Sequence, residues 1–167
     1  MARTIYGFEL YTTPTNPINY THRSIGKNSE AFTSGDPVTD GANGLLVAGT
    51  TNQVFGVVVK TATMAASNET VAKVKPYFIP VDQDYEFLAG CNADLDPLAS
   101  LGVFYKLTAA TTGTLQVDVN SGAVATSDRV VVCTGVDPLN EGGTGAGSGL
   151  RQGLFKFVKV FNIKSDN

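Results

Sequence analysis

The chain has 167 residues, carries a formal net charge of −3, and is 43% hydrophobic but only 16% charged, so it can bury one domain's core and must clothe its surface largely in uncharged polar groups. Its arginines, Arg3, Arg23, Arg129 and Arg151, are scattered and form no basic stripe for neutralising a run of phosphates, so no nucleic-acid partner is expected. The apolar runs Val57 to Val59 and Val130 to Cys133 fall far short of the roughly 20 residues a membrane helix needs, and Met1-Ala2-Arg3-Thr4 leads into no signal-peptide core, so the expectation is a cytoplasmically made protein with no membrane partner.

In chain order, Tyr6, Phe8 and Leu10 alternate with Ile5, Gly7, Glu9 and Tyr11, which predicts a strand over Thr4 to Thr12 with two partly apolar faces. Thr13 to Ser29 holds Pro14, Pro17 and several Asn without periodicity and reads as an extended arm, being long for a structureless connection inside a domain. The expected organisation is therefore an N-terminal arm with one strand over residues 1–29 and a β domain over residues 30–167. Ser34-Gly35-Asp36-Pro37 and Asp40-Gly41-Ala42-Asn43-Gly44 are turn chemistry bracketing a short strand at Pro37 to Thr39. Strands at Leu45 to Ala48 and Val54 to Thr63 follow, separated by Gly49-Thr50-Thr51-Asn52. Met64 to Thr70 reads as a loop or one helical turn. Val71 to Val81 contains Pro76 and Pro80, which suits an edge strand or bulges because proline cannot donate to a ladder.

After the Asp82-Gln83-Asp84 turn comes a strand at Tyr85 to Cys91. Asn92 to Leu101 is the place for a short helical piece, with Asp96 as cap and Pro97 in the first helical position. Strands at Val103 to Thr108, Thr114 to Val119, Arg129 to Val136 and Leu154 to Ile163 complete the series, with Asn120-Ser121-Gly122 as a tight turn. The stretch Gly142 to Gly149 reads as a flexible hairpin loop between the last two strands. Parallel βαβ architecture needs crossover helices that the pattern lacks. The expected fold class is all-β: a single-domain antiparallel β-barrel or sandwich with an extended N-terminal arm.

Chemistry-bearing residues are sparse. His22 is the single histidine and lies in the arm, without the rigid frame that a general base needs. Cys91 and Cys133 lie in apolar strand-like stretches rather than in a C-x-x-C pair, which predicts two buried thiols and neither zinc nor redox chemistry. The Gly142 to Gly149 stretch is followed by Leu150 and Arg151, not by the Lys and Ser or Thr of a phosphate loop. Asn92, Asp94 and Asp96, like Asp82 and Asp84, have alternating oxygen-ligand spacing that suits calcium, but the closing Glu of the full loop is absent. Asx residues at turns more often bond their own backbone. The sequons at Asn19 and Asn68 have no secretory context. No catalytic, cofactor-binding or metal residue is therefore expected, and no cofactor. The tyrosines Tyr6, Tyr11, Tyr20, Tyr77, Tyr85 and Tyr105 suit packing or a sugar-binding face, although the chain has no Trp. Tyr6, Phe8, Tyr11 and Tyr20 are the aromatic anchors of the arm and its candidate partner interface.

Several segments carry a family likeness: Ser34-Gly35-Asp36-Pro37-Val38-Thr39, Leu45 to Ala48 with Val54-Phe55-Gly56-Val57-Val58-Val59, Tyr77 to Phe87, and Leu154-Phe155-Lys156-Phe157-Val158. Over roughly Phe32 to Ile163 the chain resembles the small β-rich head decoration, or cement, proteins of tailed bacteriophages. The resemblance implies a non-enzymatic virion protein on the capsid exterior that binds the major capsid protein, forms a homotrimer at local threefold positions and clamps neighbouring subunits. A terminal strand and arm can add to a neighbour's sheet edge, and binding only to the assembled shell stabilises it by mass action. The long arm at Thr13 to Ser29 departs from that pattern. The alternative is a carbohydrate-recognising β-module of a phage tail or surface fibre, using the tyrosines and calcium at Asn92, Asp94 and Asp96.

Overall fold

Short runs rich in Val, Phe and Thr, fenced by Gly, Pro and Asp, pair as strands because branched and aromatic side chains fit a pleated, half-buried surface. The computed structural model describes residues 7–12, 22–23, 26–27, 29–41, 44–51, 53–64, 77–81, 85–110, 113–122, 124–136 and 152–160. Their strands are β1 (Phe8–Thr12), β2 (His22–Arg23), β3 (Ala31–Phe32), β4 (Pro37–Thr39), β5 (Leu46–Val47), β6 (Gly56–Lys60) and β7 (Ala62–Thr63). The second half adds β8 (Tyr77–Pro80), β9 (Glu86–Gly90), β10 (Phe104–Tyr105), β11 (Leu107–Ala109), β12 (Leu115–Val117), β13 (Val131–Val136) and β14 (Gln152–Phe157), with a 3-10 turn at Thr126–Asp128.

The fold is all-β, as the pattern predicts. One five-stranded sheet runs β1-β9-β14-β13-β10 and another β2-β8-β6-β4-β5, with two-stranded ribbons β11-β12 and β3-β7. The pairings between these strands are antiparallel. Neither large sheet closes on itself among the described residues, which leaves the sandwich as the compatible one of the two expected architectures. β13 and β14 pair Val131 with Phe157 and Val136 with Gly153, so the segment between them is a hairpin connection, and its Gly-rich stretch lies outside the described residues.

Burial follows the two-residue period of a strand. In the main core Phe87, Phe155 and Phe157 of the first sheet meet Val54, Val57 and Val81. A smaller core holds Phe32, Val38, Leu45, Val58, Met64 and Phe78. Adjacent residues of β6 thus serve different cores, Val57 one and Val58 the other. A strand covered on both faces must be apolar at successive positions, which accounts for the uninterrupted Val57-Val58 pair.

Residues 7–12 do not behave as an arm. β1 is an edge strand of the first sheet, with Phe8 opposite Ala89, Glu9 opposite Leu88 and Leu10 opposite Phe87. Phe8 is 2% exposed, with its ring centroid 4.9 Å from that of Phe157 and 6.5 Å from that of Phe87. The expectation that Phe8 anchors a partner is therefore corrected: its ring fills this chain's own core. Gly7 makes the approach possible, since its φ is +79° and a Cβ there would lie 2.7 Å from the Gly35 carbonyl oxygen. Further along the expected arm, β2 pairs with β8, and Gly26 bridges to Leu45. Tyr6 and Tyr20 lie outside the described residues.

The turn from Thr33 to Asp36 ties these pieces together. Phe8 N–H donates to the Gly35 carbonyl at 2.9 Å, Gly35 N–H to the Val58 carbonyl at 2.8 Å, and Val58 N–H to the Asp36 carbonyl at 2.9 Å. Asp36 Oδ2 accepts the Thr33 N–H at 2.7 Å, while Oδ1 is buried without a hydrogen-bond partner. Asp36 is 3% exposed. Burial pushes its carboxyl above the ordinary value, the Thr33 N–H opposes that, and the nearby charge of Glu30 reinforces it.

Two outcomes follow. Phe8→Ala removes a fully buried aromatic ring and should cost about 3–5 kcal/mol in urea unfolding; a loss near zero would mean that β1 is peripheral. For Asp36 the folded state holds its proton more tightly than the unfolded chain. Its contribution is therefore fully present below the ordinary carboxyl value and is lost as pH rises through the raised one. Asp36→Asn keeps the acceptor for Thr33 and removes the charge, so at neutral pH it should melt no lower than the native protein, and its melting temperature should fall less between pH 4 and pH 7. A marked loss of stability at neutral pH would contradict this account.

Candidate docking surface

Between β9 and β10 the chain makes a single helical-type turn in place of the expected short helix. Its capping residues are those predicted: Asp96 Oδ1 accepts the N–H groups of Leu98 at 2.9 Å and Ala99 at 3.0 Å. These bonds, that of Ala99 first, hold the exposed Asp96 carboxyl below its ordinary value. Asp96 N–H donates to Ser100 Oγ at 3.1 Å, and Ser100 N–H returns to the Asp96 carbonyl at 2.9 Å. Gly102 N–H reaches the Cys133 carbonyl at 2.9 Å and fastens the turn to β13.

The base of the turn is buried through Leu95 and Ser100, while its tip is not: Leu98 is 79% and Leu101 48% exposed. A single exposed leucine needs no explanation. Here two stand three residues apart on a backbone whose conformation is already fixed, so a partner that covers them has little chain entropy to remove. The sequence reading missed both leucines, because an apolar residue in a capped turn looks the same whether it faces a core or solvent. Of the predicted aromatic anchors, Tyr11 is 47% exposed on β1. Tyr105 is buried, and Tyr85 packs half-buried against the main core.

Of the residues weighed as calcium ligands, Asp82 and Asp84 lie outside the described residues, and Asn92, Asp94 and Asp96 have other work. Asn92 Nδ2 donates to Asp118 Oδ1 at 2.7 Å, and its Oδ1 accepts the N–H groups of Val119 at 2.8 Å and Asn120 at 3.1 Å. Ser121 Oγ donates to Asp118 Oδ2 at 2.5 Å, and Lys106 Nζ lies 3.7 Å from the same oxygen. Burial raises the Asp118 carboxyl, but the bonds from Ser121 and Asn92, with the Lys106 charge, outweigh it and hold the group low. Asn92 is thus a clamp between the end of β9 and the turn after β12, where Gly122 N–H bonds the Val119 carbonyl at 3.0 Å. Asp94 is also engaged within the chain. No group of three acidic, His or Cys residues with metal-holding geometry occurs among the described residues.

Cys91 and Cys133 are free and buried. Burial drives both thiols upward, Cys133 to about 11, the nearby thiol adding to the effect on Cys91. At neutral pH they are protonated and poorly nucleophilic. His22 sits opposite Phe78 in the β2–β8 pairing.

Asn92→Ala would take away the bond to the Asn120 N–H and the shorter of two bonds at the Val119 N–H and at Asp118 Oδ1, and should cost about 1–3 kcal/mol in chemical denaturation. Calcium should move the melting temperature of neither form; a calcium-dependent rise that Asn92→Ala abolishes would restore the metal reading. Comparison with protein-family models, with curated proteins and with solved structures found no match for this chain.

Proposed function

We propose that this chain is a structural virion protein that binds the exterior of an assembled tailed-phage capsid and clamps neighbouring capsid subunits, with the Asp96–Gly102 turn as its docking tip. The observation that carries the reading is the hydrogen-bonded turn that holds Leu98 and Leu101 out of the core. The phage resemblance supplies the kind of partner, and the segments that carry it form the frame: the Thr33 to Asp36 turn with β4, then β5, β6, β8, β9 and β14.

The physics suits a cement better than a catalyst. A fully buried leucine contributes about 1.5–3 kcal/mol, so two leucines give each copy a modest grip that a shell multiplies over many copies. A protein that binds the assembled shell and not the free subunit shifts the assembly equilibrium by mass action. Tyr11, on β1 at the edge of the first sheet among the described residues, is a second candidate contact.

Cosedimentation of the purified protein with undecorated shells tests the proposal. The double variant Leu98→Asp with Leu101→Asp should lose shell binding by at least tenfold while its far-ultraviolet circular dichroism and melting stay unchanged, since neither side chain belongs to a core. Undiminished binding by that variant would remove the turn from the contact, and no binding by the native protein would remove the function.

A further inference from the structure

A primary amide and an amine meet at one shielded carboxylate beside the exposed turn. Residues 117–118 run between the two backbones that carry them: Asn92 N–H donates to the Val117 carbonyl at 3.1 Å, and Asp118 N–H donates to the Lys106 carbonyl at 3.0 Å. The side chains then converge on Asp118. Asn92 Nδ2 donates to Asp118 Oδ1 at 2.7 Å, and Lys106 Nζ stands 3.7 Å from Asp118 Oδ2. The Asp118 side chain is 9% exposed and that of Lys106 35%, so the carboxylate is shielded from water while the amine keeps the freedom of its flexible stem.

The Asn92 amide is held in the manner of a group about to be acylated onto an amine. Its Oδ1 accepts the N–H groups of Val119 at 2.8 Å and Asn120 at 3.1 Å, two fixed donors placed where negative charge develops when a carbonyl becomes tetrahedral. Its nitrogen, which would have to leave, already touches a group able to hand it a proton. A lysine amine becomes a nucleophile only when a neighbouring base relieves it of its proton. Asp118, which burial would raise, is held low by the bonds from Ser121 and Asn92 and is ionised at neutral pH, ready to accept one.

We propose that the chain joins Lys106 to Asn92 by an intramolecular isopeptide bond, with Asp118 as the proton carrier. Asp118 Oδ2 takes a proton from the Lys106 ammonium. The freed Nζ lone pair swings to Asn92 and forms a bond to Cγ, and the carbonyl π electrons move onto Oδ1 between its two N–H donors. Asp118 passes its proton to Nδ2 and takes the second one from Nζ. The Oδ1 electrons then restore the carbonyl, the bond from Cγ to Nδ2 breaks, and ammonia departs with the proton from Asp118 as ammonium. A lysine ammonium and a primary amide thus give a secondary amide and one ammonium ion, with nothing oxidised or reduced and no co-reactant. Holding the groups together replaces a bimolecular encounter with an intramolecular one. The new bond closes a ring over residues 92–106 that contains the Asp96–Gly102 turn, and removes the loop freedom of that segment from the unfolded chain. The inference does not depend on the capsid reading.

Intact-mass spectrometry of the purified native chain, incubated folded at neutral pH and with any removal of Met1 allowed for, should find it lighter than its sequence by one ammonia. Chymotryptic digestion of the unfolded protein should release a branched peptide that joins Asn92 to Lys106, and trypsin should fail to cut after Lys106. Lys106→Arg keeps a cation beside Asp118 without an amine to acylate. It should show the full mass, the native circular dichroism and a lower melting temperature than the native chain. Asp118→Asn removes the proton carrier and should also show the full mass. A native chain of full mass that trypsin cuts after Lys106 would overturn the proposal. An ammonia loss that survives Lys106→Arg would overturn it as well, by placing the loss at another asparagine.

Discussion

The fold depends on β6 being buried from both sides. Val57 faces the core that holds Phe8, Phe87, Phe155 and Phe157, and Val58 faces the one that holds Phe32, Met64 and Phe78. The backbone of the same strand closes the Thr33 to Asp36 turn through Gly35 and Asp36, and that turn receives the N–H of Phe8. One strand thus organises two apolar clusters and fixes where the N-terminal strand enters. The cost is a carboxyl group, Asp36, held in the interior with one oxygen unpartnered, the kind of local penalty that burial and backbone bonding elsewhere must offset.

What the sequence made legible was local. Fences of Gly, Pro and Asp located most of the strands, Asp96 and Pro97 announced a capped turn, and Cys91 and Cys133 read correctly as buried thiols. The alternation of Tyr6, Phe8 and Leu10 with Ile5, Gly7, Glu9 and Tyr11 announced a strand with two partly apolar faces. It did not say what would cover them, because pairing with β9 brings together residues some eighty positions apart, and no local pattern records that. An aromatic that looked like an interface anchor is a core residue for this reason. β2 and β3, of two residues each, were too short to show a period.

The candidate site was less legible still. Asn92, Asp94 and Asp96 have a spacing that fits a cation loop and fits two backbone clamps equally well, and the choice is made by Asp118, which arrives from a different part of the chain.

Among the described residues the molecule is a two-sheet frame with a hydrogen-bonded turn that carries apolar side chains into solvent. For the proposed capsid-binding role a hydrogen-bonded turn is an advantage, because a contact held near its bound conformation spends little of its binding energy on ordering. The most direct measurement is electron cryo-microscopy of shells decorated with the purified protein. The account predicts density with the Asp96–Gly102 turn seated against the capsid surface and Leu98 and Leu101 covered by it. Decorated shells in which that turn faces solvent would contradict it.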